Sequence, residues 1–491
     1  MYEAGDPSFR EDIVRFAIRK LLKINSPTND DLSEIQLLAC LGVRVPFEFK
    51  QSPGASLVQR ELVTNHLRLL LFADVGFTRA VTACASEPLL AEASYQVGIG
   101  QRWLSAGKPA TTALQQQSPI LVLSRQLQSS YMDLGTRGEL VAAVLLLDAR
   151  DRATMFSRDD SSPALSPSRL PKDGHERFVS SPASSRDLTA DGSKRIIGVK
   201  QLLDALIGKP EFRDLCLKSW PISYLDEKHE GMRLEDAFAD GKIYFNHFVK
   251  VHKFDMVNQQ YLLLALSRGA ALICADNQGG LDIIIPILFG DVLLKEKVSA
   301  IMIQVKNSRK YGANVHRDLF ESMNPYSCAV FAKGVENPPP VLRMVFALAS
   351  PISSVKVTHP EPPKRPRRST ATKQGEKTKK QEPEFEEGPP FTAYDIWMAG
   401  PSKDTFGVVQ NEGEVMALAT LLQTMRDQRD VIALHGRTNE TVKQAILQMQ
   451  PLTSTEEDCF INWVTLREPE HREIGREIEL EEGGTRTGLG G

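Results

Sequence analysis

Residues Arg268–Lys306 read RGAALICADNQGGLDIIIPILFGDVLLKEKVSAIMIQVK. The runs DIIIPILF and VSAIMIQVK are apolar, rich in β-branched residues and separated by a short charged connection, the pattern of two buried strands. Side chains alternate faces along a strand, so Gln304 and Lys306 share one face while Ile303 and Val305 take the other. Asp282 is the one carboxylate at the head of the first run. Aspartate and lysine are rarely buried without a partner. Their presence at the ends of two otherwise apolar strands therefore points to a use.

Outward from this stretch, NQQYLLLALSRGA leads in as a helix, and YFNHFVKVHKF (244–254), aromatic and alternating, reads as a strand. Downstream, SCAVFA and VLRMVFALAS are two strand candidates divided by Asn337 and three prolines, and FTAYDIWMAG is a third. RIIGVKQLLDALIGK predicts a helix ending near Gly208. LGTRGELVAAVLLLDARDRA (134–153) predicts a long helix with Glu139 in its first turn, where the helix dipole favours an anion. The N-terminal part reads as helices. FREDIVRFAIRKLLK carries a stripe of Phe9, Ile13, Phe16, Ala17 and Leu21, and DLSEIQLLACLG is expected to stop at Gly42. ELVTNHLRLLLFADVGF and SEPLLAEASYQ are expected to be two more, with His66 at or near the surface.

Composition excludes several classes. With 59 Lys and Arg against 62 Asp and Glu, a net charge of −3, the chain is no globally basic nucleic-acid binder, and such binding must come from local patches. The six cysteines form no CxxC pair and have no histidine at zinc spacing, which suits a reducing compartment. The N-terminus lacks a signal-peptide apolar segment, and no apolar run approaches the roughly 20 residues of a membrane span. The expectation is a soluble intracellular protein. His316-Arg317-Asp318-Leu319 copies the start of a kinase catalytic loop, but Met323 stands where that loop needs Asn, and no glycine-rich loop precedes it. No phosphate-binding loop, GxSxG elbow or HExxH helix is present.

What remains is Asp282, Gln304 and Lys306. Hydrolysis of a phosphodiester needs charge neutralised on the phosphoryl oxygens and a water made nucleophilic. Mg²⁺ held by one or two carboxylates supplies both, and a nearby lysine orients the water or stabilises developing charge. The first-turn Glu139 is the natural second acid. In this pattern the chain resembles the PD-(D/E)XK nuclease superfamily, the restriction-endonuclease-like fold, in its variant with Gln in place of the third acid. The resemblance implies Asp282, Glu139 and Gln304 as metal ligands and Lys306 as the catalytic lysine. More narrowly, RGELVAAVLLLDARD with DIIIPIL and IMIQVK is similar to the nuclease-like region of large fungal, some Crinkler-type, proteins, where it follows a P-loop NTPase. The residue before Asp282 is Leu281 rather than Pro.

The expected fold is α/β, or α+β by a stricter count: a central mixed sheet of four or five strands flanked by helices. The expected organisation is a helical N-terminal region (1–130), the first core helix (131–154) and a Ser- and Pro-rich insertion (155–195). The nuclease-like core (196–350), a basic then acidic linker (351–392), a C-terminal strand and helices packing on the core (393–465) and a tail (466–491) complete it. Between Lys364 and Lys380 stand eight basic residues and one acid, a pattern suited to nuclear import. The expected function is Mg²⁺-dependent hydrolysis of nucleic acid, DNA foremost, with an NTPase domain or partner protein as a further associate and no membrane. The alternatives are a catalytically inactive nuclease fold used for binding, and a helical scaffold in which Glu139, Asp282 and Lys306 do not converge.

Overall fold

The computed structural model describes residues 7–24, 32–49, 53–73, 80–84, 86–105, 118–128, 137–159, 195–225, 227–253, 256–275, 279–359 and 389–422. The bulk of the 155–195 insertion, the Lys364–Lys380 cluster, residues 423–465 of the expected C-terminal segment and the tail from 466 lie outside the described residues.

β1 (Leu69–Ala73) and β2 (Ala80–Ala83) form a separate antiparallel pair. The other nine strands among the described residues make one mixed sheet. They are β3 (Ile197–Gly198), β4 (Gly241–Ile243), β5 (His247–Lys250), β6 (Ala270–Ile273), β7 (Ile283–Phe289), β8 (Val298–Lys306), β9 (Val341–Ala347), β10 (Ser354–Val357) and β11 (Ala393–Ala399). The order β10–β11–β9–β8–β7 is continuous, with β8, β9 and β11 parallel to one another. Beyond β7 the sheet forks. Ile283 and Ile284 pair with β6, which carries β5, whereas Leu288 and Phe289 pair with β4, which carries β3. Pro286 lies between those two pairings, opposite Ala300 of β8. A proline has no N–H to give a ladder, so it is tolerated where the outer edge of β7 changes partner.

Each face of the sheet is covered. On one side Ile283, Ile285, Ile301, Ile303, Met344 and Phe346 pack with the long helix Arg137–Asp159, the helix Val199–Leu206 and the N-terminal helices. On the other, Ile284, Ala300, Met302, Val345 and Trp397 pack with the helices Gln259–Ser267 and Arg317–Ser322. Strict alternation follows, because each fully buried Ile contributes about 1.5–3 kcal/mol and a one-residue slip would drive Gln304 into the first core. The molecule is α+β, and no helix among the described residues is long and apolar enough to cross a membrane.

Several local expectations change. The sheet has more strands than the four or five expected, because the short strands β3 and β4 precede β5, which is the only strand among the described residues of YFNHFVKVHKF, and AALI adds β6. LRLLLF is not helical: the helix ends at Asn65 and Leu69–Ala73 form β1. The helix beginning after its N-cap Ser33 runs through Gly42 to Arg44. His66 is buried, its Nδ1 2.7 Å from the carbonyl oxygen of Leu21, and Phe16 of the first helix is exposed. SCAVFA forms turns rather than a strand, with Ala329 at φ +61° and Cys328, Val330 and Phe331 filling the second core. β11 is an interior strand between β9 and β10. His316 of the kinase-like tetrapeptide packs on Tyr311 and Trp397.

Candidate active site at the end of the central sheet

Asp282 immediately precedes β7 and is held by backbone on both sides: its N–H donates to Ile303 O at 3.0 Å, and its carbonyl accepts from Cys274 N–H at 2.8 Å. Gly280 (φ +78°) makes the approach possible, since a Cβ there would lie 2.3 Å from the carbonyl oxygen of Ser322. Ile283 pairs with Ile303, so Asp282 reaches the C-terminal end of β8, where Gln304 and Lys306 lie. Its Oδ2 accepts the Val305 N–H at 2.6 Å. Burial pushes the Asp282 carboxyl above the usual aspartate range, against the opposing pull of that N–H and of Lys306.

Gln304 is buried, and its Oε1 has no hydrogen-bond partner. An amide oxygen left so costs about 1–3 kcal/mol, and it is a free acceptor at the strand end. Lys306 places its Nζ 5.8 Å from the centre of the Tyr311 ring, on which Lys310 also lies at 5.7 Å. Asp282, Gln304 and Lys306 are therefore gathered at one strand end, as the alternation predicts.

Glu139 arrives differently. Its helix packs on the opposite face of the sheet, the one lined by Ile301 and Ile303. The first turn abuts the end of β8: a Cβ on Gly138 would lie 3.4 Å from both Asn307 Cβ and Val305 Cγ1. The Cys274 thiol is held well above the usual thiol range by burial, with smaller contributions from Asp282, Cys328 and Glu139. Glu139 also lines a cavity of ≈ 720 Å³, a wall that Asp282, Gln304 and Lys306 do not share. Asp282, Gln304 and Lys306 share the strand end, and Glu139 stands on the helix packed against the other face of the sheet.

Cys274, Asn307 and Tyr311 were invisible as site members from sequence. Each is remote or chemically neutral in its own segment, and only Tyr311, three residues before the equally undistinguished Asn314, carries a ring that a lysine can use. As to a metal, the donors suit Mg²⁺, which takes oxygen ligands and is often held by one or two carboxylates with water. Two carboxylates and an orphaned amide oxygen fit that set. Among the described residues no group of three or more His, Cys, Asp and Glu side chains stands together as a metal site.

The Asp282 shift gives a test. A carboxyl whose proton is held more tightly in the folded protein contributes stability that is complete below the ordinary aspartate value of about 3.9 and is lost as pH rises through the raised one. Asp282→Asn is therefore expected to be at least as stable as the parent at pH 7, with its relative advantage fading towards pH 4. Thermal unfolding across that range measures it. A variant clearly less stable at pH 7 would show that the ionised carboxylate is a structural anchor.

No family model matches this sequence, and no curated protein or solved structure matches it either, so the residues themselves carry its functional reading.

Proposed function

We infer that the chain is a metal-dependent phosphodiesterase of nucleic acid, DNA foremost, on a restriction-endonuclease-like sheet. The observation that carries this is the meeting of Asp282, the orphaned Gln304 amide oxygen and Lys306 at one strand end, with Glu139 offered as the second acid from the helix packed behind β8. The adjacency of Asp282, Gln304 and Lys306 supports the metal-site reading.

Mg²⁺ held by Asp282, Glu139 and Gln304 would supply charge neutralisation and water activation. The protein's own contributions are positional. The Val305 N–H fixes the Asp282 carboxylate, the Tyr311 ring steadies the Lys306 ammonium, and that ammonium meets developing negative charge on the phosphoryl oxygens. Specificity for DNA, and entry to the nucleus through the Lys364–Lys380 cluster, belong to the same reading.

The test is nicking or linearisation of plasmid DNA with Mg²⁺. Lys306→Ala and Asp282→Ala are each expected to lower the rate by about 100-fold or more. Cleavage that survives both substitutions excludes this site. A second reading, an inactive nuclease fold that binds nucleic acid, is favoured by Gln304 itself, a neutral ligand that weakens metal affinity where an acid would strengthen it. Binding of DNA with no cleavage by the parent chain would establish it.

A further inference from the structure

The cavity beside Glu139 is used by none of the chemistry above. One wall is the segment 42–49 with the β1–β2 hairpin, and the other is β5 with the end of β6. Its ≈ 720 Å³ falls within the range of about 300–1,000 Å³ of small-ligand pockets. Phe49 is half-buried in it, edge-on to Phe47 with ring centres 5.4 Å apart. The Arg68 guanidinium lies 5.0 and 4.9 Å from those two rings. Arg68 is already occupied, since it donates to Thr82 Oγ1, Cys84 Sγ and the Phe47 carbonyl, so it braces the rings rather than serving a ligand. Lys250, 3.7 Å from Glu48, brings positive charge to the opposite wall, where the exposed imidazole of His252 also stands.

We propose that this cavity receives one unstacked nucleobase of the substrate, so that the substrate is single-stranded or locally opened nucleic acid. The inference rests on the nuclease reading, and Glu139 is the link, because it belongs to both the cavity wall and the candidate metal site. A base has two apolar faces, and the cavity offers the Phe49 ring for stacking, while Thr82, Gln59 and Ser86 on its wall are already bonded within the protein. Lys250, which a phosphate would draw away from Glu48, is the cation on this wall for the adjoining phosphate. A duplex, whose major groove alone is about 12 Å wide, does not enter such a space, whereas stacking of a single base on a ring tolerates any sequence.

The experiment compares binding of fluorescein-labelled oligothymidylate of about 12 nucleotides, a length within single-strand site sizes, with binding of a duplex of equal length. It uses fluorescence anisotropy of the full chain without divalent cation. Single strand is expected to bind more tightly. Phe49→Leu, which keeps apolar volume but removes the ring, is expected to weaken it by roughly 5- to 150-fold. Phe49→Trp, which keeps a ring, is expected to retain it. Equal affinity for the two forms, or parental affinity in Phe49→Leu, overturns the pocket while plasmid cleavage still stands as a separate result. Binding to neither form overturns the pocket too, and if cleavage is also absent the nuclease reading falls with it.

Discussion

Arg343→Ala and Asp395→Ala, made singly, are each expected to lower stability by about 3–5 kcal/mol, the cost of leaving one half of a buried ion pair without the other. The two residues face each other in the β9–β11 register. The contact is bidentate, Nε to Oδ1 at 2.7 Å and Nη2 to Oδ2 at 2.9 Å, and Nη1 donates to the Phe320 carbonyl at 2.9 Å. Both side chains are almost wholly enclosed, with the Phe320 and Phe391 rings 5.9 and 5.8 Å from the guanidinium. Water cannot replace the missing partner there. Replacing both at once by Met and Leu is expected to be far milder than the sum of the single losses, because no charge is then stranded. Urea unfolding of the two singles and the double measures this. Single variants within about 1 kcal/mol of the parent, the size of an exposed pair, would mean the site is open to water.

Loss of Asp151 is expected to cost at least as much, about 3–5 kcal/mol, and more than loss of Arg44. Arg44, at the end of the helix Glu34–Arg44, holds Asp151 of the long helix through contacts of 2.7 and 2.8 Å. Its Nε reaches the Asn246 carbonyl at 2.9 Å, just before β5. The fully buried Arg150 leans on the same carboxylate at 3.2 Å and on the Tyr95 ring at 4.7 Å. Asp151→Ala therefore strands two guanidiniums, and Arg44→Ala leaves Asp151 with Arg150. This knot joins the N-terminal helices to the helix that carries Glu139. Asp151→Ala should accordingly speed limited proteolysis of the N-terminal segment as well as shift urea unfolding. Equal losses for the two variants would mean that Arg150 does not depend on Asp151.

The parts of this molecule that local pattern decides are those whose side chains alternate or recur against a single core. The β7–β8 hairpin, the long helix from Arg137 and the shared face of Gln304 and Lys306 all follow from a two- or 3.6-residue period. LRLLLF misleads for the same reason. A short apolar run suits either element, and only the pairing of Leu69–Ala73 with β2 makes it a strand. SCAVFA is apolar because it fills a core between turns, a role periodicity does not distinguish from a strand. His66 is drawn inside by one carbonyl, that of Leu21, distant in the chain.

Asp282 and Lys306 could be matched from their own hairpin, since antiparallel register brings the start of one strand to the end of the next. Glu139 could be placed only at a helix start. That it stands on the other face of the sheet, with the first turn of its helix against the end of β8, depends on how the long helix crosses β8. The aromatic cavity is likewise assembled from segments some 200 residues apart, Phe47 and Phe49 against Phe248 and Lys250. Alternation and helical period are written in neighbouring residues. Which surfaces meet is set by burial summed over the whole chain, and that sum exists only in the folded molecule.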